Sequence, residues 1–285
     1  MSADKPSASW SRMDSAPDDR QRWAVLIEYD GSGLVGWQRQ ENGLSVQQLL
    51  EEAAARMAGG REVWSVTAGR TDARVHATGQ VAHLDFPIDM PLNTRAVRDG
   101  LSFHLKPHPV AILNAARVDP AWNARFSAVR RRYRYRVLNR PTRPALEANR
   151  VWHVKFPLDV SAMQKAANLL LGQHDFSTFR AVACQAKSPV RTLDRLDVRR
   201  EGELIFFDVE ARSFLHHQVR NLVGTLQLVG CGRWTSERLQ AALEACDRRA
   251  GGPTAPAEGL YLVGVDYDPD PFFTPDRYAH SEKAL

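Results

Sequence analysis

Two hydrophobic periods share this 285-residue chain, in an order that limits its fold. β-rich runs ended by turn residues stand at 23–29, 63–67, 80–86, 110–118, 130–138, 151–154, 191–199, 203–212 and 261–267. Helical spacing begins after Ser45, a fitting N-cap, with Val46, Leu49, Leu50, Ala53 and Met57. Further helices are predicted from Asn93 or Thr94 through Leu105, over 160–171, and over 217–229 and 236–246. Strands and helices do not alternate strictly, as a parallel βαβ sheet would require. The order therefore predicts an α+β fold with helices covering an antiparallel sheet.

Each half reads as strands, a helix, strands and further helix, without a short sequence repeat. Residues 1–22 mix Ser, Pro, Asp and Arg without apolar periodicity, which predicts a disordered tail. We divide the remainder into halves at 23–120 and 121–268, with the boundary near Pro120, and a loose tail at 269–285.

Hydrophobic residues make up 44% of the chain, enough for a real core, yet no apolar run approaches the roughly 18 residues of a membrane helix. The polar amino terminus lacks the apolar segment of a secretory signal, so cytoplasm is the expected compartment. Cys184, Cys231 and Cys246 form no CxxC pair, which argues against a disulfide framework or a zinc knuckle. A net charge of +5 suits a polyanionic partner, though its local clustering says more than the total.

The densest cluster of chemistry is Ala68-Gly-Arg-Thr-Asp-Ala-Arg-Val-His-Ala-Thr-Gly-Gln80, between two predicted strands. Asp72 lies between Arg70 and Arg74, neighbours that would lower its pKa and keep it ionised as a nucleophile. Gly69 and Gly79 would let the backbone turn tightly or approach a ligand. The same residues also fit an Asx-type turn with solvated arginines.

A second cluster is Arg130-Arg-Arg-Tyr-Arg-Tyr-Arg136. As a strand it sets Arg130, Arg132, Arg134 and Arg136 on one face, where they repel one another without an anion. Beside Tyr133 and Tyr135 they suit RNA, since guanidinium groups hold phosphates and rings stack on bases. In a third cluster, 212–221, Arg220 falls in the first turns of a helix, an unfavourable end for a cation, so it should have a specific anionic partner. His216 and His217 would diverge on a helix, and Pro107 separates His104 from His108, so no metal site is expected. The string Gly31-Ser-Gly-Leu-Val-Gly36 does not open a helix, which argues against a dinucleotide site.

Together the clusters resemble the TruA family of tRNA pseudouridine synthases. The matching blocks are 27–32 with 36–40, Ala68-Gly-Arg-Thr-Asp72, Phe126-Ser with Arg132-Tyr-Arg-Tyr135, 175–180, Phe214-Leu-His-His with Val219-Arg-Asn221, and 257–262. The resemblance implies two related halves forming one continuous antiparallel sheet with a central active-site cleft. It implies isomerisation of uridine to pseudouridine at positions 38, 39 and 40 of the tRNA anticodon stem-loop, by a homodimer without cofactor or metal. It also implies that Asp72 is the nucleophile, that Tyr133 packs on the target base, and that Arg220 pairs with Asp72. Arg70 would fill the space left by the flipped nucleotide, a step needed because the reacting atoms are buried in a stacked stem.

Arg74 stands where the family usually has glycine, and Gln218 where Met is common. At Arg74 we expect negative φ and a side chain directed at the tRNA backbone, joined there by Arg132 and Arg134. Two other readings are a non-catalytic RNA-binding module on 130–138 and a metal-dependent hydrolase using the scattered histidines.

Overall fold

The computed structural model describes residues 15–273. The tails expected at 1–22 and 269–285 therefore lie largely outside the described residues. In the first half come β1 (Arg20–Tyr29), α1 (Val46–Met57), β2 (Trp64–Thr67), β3 (His76–Pro87), α2 (Thr94–His104) and β4 (Val110–Arg117). The second half holds β5 (Ala128–Asn139), β6 (Trp152–Val154), α3 (Val160–Asn168), β7 (Gly172–Asp175), β8 (Val190–Glu201), β9 (Leu204–Ala211), α4 (Gln218–Gly230), α5 (Ser236–Glu244) and β10 (Leu260–Tyr267). The fold is α+β. Ser45 and Asn93 cap α1 and α2, accepting hydrogen bonds from Gln48 N and Ala96 N. Two differences from expectation have local causes. β1 starts at Arg20, inside the segment expected as tail, because Arg22 is drawn into a buried ion pair. β7 has no apolar alternation to betray it, since Gly-Gln-His-Asp is a polar edge strand.

The ten strands of the described residues form one sheet in the order β4-β1-β3-β10-β5-β9-β8-β7, with β2 also paired to β3 and β6 to β5. It is mostly antiparallel, but β10 meets β3 in parallel through Tyr261 opposite His76 and Leu262 opposite Ala77. The last strand of the described residues thus joins the two halves, pairing antiparallel with β5 on its other side. At Gly79 a Cβ would stand 2.4 Å from the carbonyl oxygen of Val263, so the missing side chain serves this close strand approach rather than a ligand.

Alternate residues of a strand share a face. Leu260 packs into the core under α3, α4 and α5, and Leu262 into the core under α1 and α2, so both helical layers lie on one face of the sheet. Tyr133 touches both cores, at the line where they meet.

The opposite face is covered by the segment from β4 to β5, which must cross β1, β3 and β10 to reach its place in the strand order. The boundary expected near residue 120 falls on this crossover. Arg22 holds it there, donating through Nη1 to Trp122 O at 2.8 Å while Nε and Nη2 bind both oxygens of Asp85 at 2.8 and 2.9 Å. His83 Nδ1 accepts from Ala124 N at 3.1 Å, and burial with the nearby Arg22 charge pushes its pKa down to about 3.

Two stability predictions follow from these contacts. Asp85→Ala strands a buried guanidinium and should cost about 3–5 kcal/mol in urea unfolding, while the double change Arg22→Met/Asp85→Leu should recover most of the loss. The neutral His83 is protonated in the unfolded chain below its ordinary pKa of 6.5, so its stabilising share is full above pH 6.5 and lost as pH falls toward 3. Between pH 7.5 and 5, His83→Gln should therefore lose about 2 kcal/mol less unfolding free energy than the parent, as equilibrium denaturation at both pH values will read.

Candidate active site: a pinned loop and a carboxylate held by cations

The loop from β2 to β3 is fixed through its main chain. Its carbonyl oxygens accept from Arg131 Nη2 at Ala68 (2.9 Å), from Gln80 Nε2 at Gly69 (2.8 Å) and from Trp37 N at Thr71 (3.0 Å). Arg74 N donates to Leu34 O at 3.2 Å, and the hydroxyls of Thr71 and Tyr29 lie 2.7 Å apart in the core. Gly36, at φ +103°, backs the loop so closely that a Cβ would stand 2.6 Å from Thr71 O and 2.9 Å from the Asp72 carbonyl carbon. Glycine is required there for both space and conformation.

This leaves the Asp72 side chain, 25% exposed, facing the residues that open α4. Arg220 Nη1 donates to Asp72 Oδ2 at 3.0 Å, and its Nε donates to Ala255 O at 2.8 Å. His217 Nε2 stands 3.1 Å from Oδ2 and His216 Nε2 3.3 Å from Oδ1. Burial alone would raise the pKa of Asp72. The contacts of His217 and Arg220 outweigh it, and the net shift is downward, leaving an ionised carboxylate at neutral pH. The direction agrees with expectation, but the groups responsible are His217 and Arg220, the latter 148 residues away, rather than Arg70 and Arg74.

The histidine pair is the part sequence reasoning missed. The expectation that adjacent histidines diverge applies within a helix, whereas these precede one. His217 takes φ +61° just before α4, and the two rings tilt together with centroids 4.0 Å apart. A His-His step where a strand run gives way to a helix was the available signal. Asp72, His216 and His217 bring three potential metal-ligand atoms within 4.8 Å of one another, the one such group among the described residues. The Arg220 guanidinium already occupies Oδ2, however, and its charge opposes a second cation there.

Tyr133 flanks the loop, its ring edge-on to Phe214 at 5.2 Å. A Cβ on Gly69 would lie 3.8 Å from its hydroxyl oxygen, so the hydroxyl lies over the loop backbone. Burial, then the neighbouring Tyr29 and Asp72, push its pKa far above the ordinary phenol value, and it stays protonated. Arg70 is exposed on the same loop. His76 turns away from Asp72, stacking on Tyr261 at 4.6 Å and accepting from Gly31 N at 3.1 Å.

Two expectations need correction. Arg130, Arg132, Arg134 and Arg136 do not lack anions, for they pair with Glu210 (3.3 Å), Asp266 (2.9 Å), Asp208 (2.6 Å) and Glu147 (2.9 Å). Their acidic partners lie on other elements, out of reach of a reading confined to one strand. Arg74 has φ +67°, not negative, because the loop turns sharply there with Val75 N donating to Asp72 O at 3.2 Å. Its Nη2 is 3.4 Å from Asn149 Oδ1.

A family model described as tRNA pseudouridine synthase matches residues 166–268. Curated relatives are similar over far more of the chain. The tRNA pseudouridine synthase A of Gluconobacter oxydans is 59% identical over 256 residues, covering 90% of this chain and 93% of its own. That of Acidiphilium cryptum is 62% identical over 253 residues, covering 88% and 98%. That of Paramagnetospirillum magneticum is 57% identical over 246 residues, covering 86% and 95%.

The left-handed backbone at Arg74 yields a prediction independent of activity. An L-residue there carries about 1–2 kcal/mol of steric cost, against about 0.5–1 kcal/mol of extra unfolded-state entropy for glycine. Arg74→Gly should therefore stabilise the protein by up to about 1 kcal/mol in urea unfolding, whereas a negative φ would have made the change destabilising.

Proposed function

The chain belongs to the tRNA pseudouridine synthase A family, and we propose that it isomerises uridine to pseudouridine at positions 38, 39 and 40 of the tRNA anticodon stem-loop, with Asp72 as nucleophile. The observation that carries this reading is the ionised Asp72 carboxylate, aimed by Arg220 at 3.0 Å from a loop fixed through its main chain. Such a group needs no deprotonation before it attacks.

In this reading the target uridine leaves its stack and enters beside Tyr133, whose ring packs on the base. Asp72 attacks the uracil ring or ribose C1′, and the C1′–N1 bond breaks. The freed uracil rotates, C5 bonds to C1′ as the bond to the Asp72 oxygen breaks and restores the carboxylate, and the C5 proton is lost while N1 takes one up. The protonated Tyr133 hydroxyl suits a relay in that last transfer better than a resting base. Arg220 keeps the carboxylate charged and oriented, and Arg70 fills the gap left by the flipped nucleotide. Arg74, exposed further along the loop, contributes a phosphate contact. Arg132 and Arg134, neutralised by Asp266 and Asp208, add little to RNA affinity. The family resemblance supports a homodimer that works in the cytoplasm without a cofactor.

Asp72→Asn keeps the side chain's shape and removes its nucleophilic oxygen anion. The variant should bind unmodified tRNA while forming no pseudouridine in a mapping assay. Turnover at a sizeable fraction of the parent rate would reject Asp72 as the nucleophile.

A further inference from the structure

Arg131 lies between the arginines of the basic strand but behaves unlike them. Its guanidinium, in a residue 9% exposed, has no carboxylate within ion-pair distance among the described residues. It donates instead to four carbonyl oxygens: Ala68 at 2.9 Å, Arg125 at 2.6 Å, Ala128 at 3.1 Å and Arg212 at 2.7 Å. These carbonyls belong to the Asp72 loop, the crossover, the start of β5 and the end of β9. One guanidinium therefore gathers four chain segments at a single point.

Three more arginines extend from the gathered segments. Arg125 and Arg212 themselves own two of the accepting carbonyls, and Arg70 is two residues beyond a third, that of Ala68. All three are exposed, and none has a carboxylate within ion-pair distance among the described residues. Their fields overlap, since Arg125 opposes the charge on both Arg70 and Arg131, and Arg212 opposes that on Arg131. Beside them the Phe126 ring is 57% exposed, with the Arg125 guanidinium carbon 5.5 Å from its centroid. Elsewhere the fold neutralises dense arginines with Asp or Glu, as on the outer face of β5. Here four cations gather, Arg70 among them two residues from Asp72, and none has a carboxylate within ion-pair distance among the described residues.

Resting on the reading of RNA as substrate, we infer that Arg125 and Arg212, gathered by Arg131 beside Arg70, form a phosphodiester-binding site for the RNA backbone flanking the nucleotide at Asp72. Guanidinium groups match phosphate oxygens in geometry as well as charge. Arg131 is the positioning residue, and its four carbonyl contacts set the spacing of the other three. The exposed Phe126 face offers an adjacent base a surface to stack on.

The test uses Asp72→Asn protein, so that no product forms, with an unmodified anticodon stem-loop RNA titrated at several salt concentrations. Arg125→Gln and Arg212→Gln should each weaken binding several-fold and make the slope of log K against log salt shallower by about 0.7–0.9, the share of one phosphate. Arg125→Lys and Arg212→Lys should largely keep the slope. The charge-balanced control Arg132→Gln/Asp266→Asn should leave slope and affinity unchanged. RNA carrying neutral methylphosphonate linkages on either side of the target uridine should bind the parent weakly and be indifferent to both Gln changes, which ties the site to the RNA backbone rather than to a free anion. Parental slopes in both Gln variants, or an equal loss in the control, would overturn the inference. Because pseudouridine formation by the unsubstituted protein is measured separately, such a result leaves the catalytic reading standing. Absence of product from the unsubstituted protein would instead remove the catalytic reading.

Discussion

The site depends on the insertion of β10 between β3 and β5. This strand is the last among the described residues and holds β3 through a short parallel seam. The residues just before it are as important as the strand. Ala255 donates through its N–H to Arg220 O and accepts from Arg220 Nε, while Pro256 O accepts from the Tyr135 hydroxyl. The guanidinium that meets Asp72 is therefore oriented by the same segment that closes the sheet. Asp72 comes from the first half and Arg220 from the second, so the pair can form only when long-range strand pairing has occurred. Joining such distant segments carries a large loop-closure entropy, and the extensive flanking sheet supplies the compensating contacts.

Most of the local structure was legible because local rules decided it. Ser45 and Asn93 cap helices through their own side chains, and Trp23, Val25, Ile27 and Tyr29 face the core by simple alternation. The awkward place of Arg220, in the first turn of a helix, correctly implied an anionic partner. What stayed hidden involved partners distant in sequence. The carboxylates that neutralise Arg132 and Arg134 come from β10 and β9, and the imidazoles beside Asp72 become visible only once the β9–α4 connection is placed. Arg74 differs for another reason: the glycine usual at this position suits positive φ, whereas an arginine disfavours it, so the residue itself argues for the opposite sign. The loop imposes its backbone on whichever residue stands there.

The arginines of β5 and its neighbours divide by environment rather than by sequence. Arg134 and Arg199 bracket the Phe206 ring at 5.4 and 4.5 Å while sharing Asp208, an arrangement that covers an exposed sheet face. Side chains so engaged must give up an existing carboxylate before binding a phosphate. Surface ion pairs are worth little net stability, but they remove the free charge that makes a cation attractive to RNA. A run of arginines in a sequence is thus poor evidence for a nucleic-acid surface until its counter-charges are located.

The Asp72 loop is likewise held by its backbone. If side chains of the loop made its anchoring contacts, few would remain for chemistry. Arg131, Gln80 and Trp37 instead take the carbonyls of Ala68, Gly69 and Thr71, and Gly36 closes the loop from behind. Arg70 and Asp72 then project from a fixed frame with their functional groups uncommitted to it. Asp72 lies at the opening of α4, the helix end whose dipole favours an anion, with the Arg220 guanidinium and the ring nitrogens of His216 and His217 around its oxygens. In the nucleophilic role we propose for it, a carboxylate held this way needs little reorganisation when the substrate arrives, since its charge and aim are set before binding.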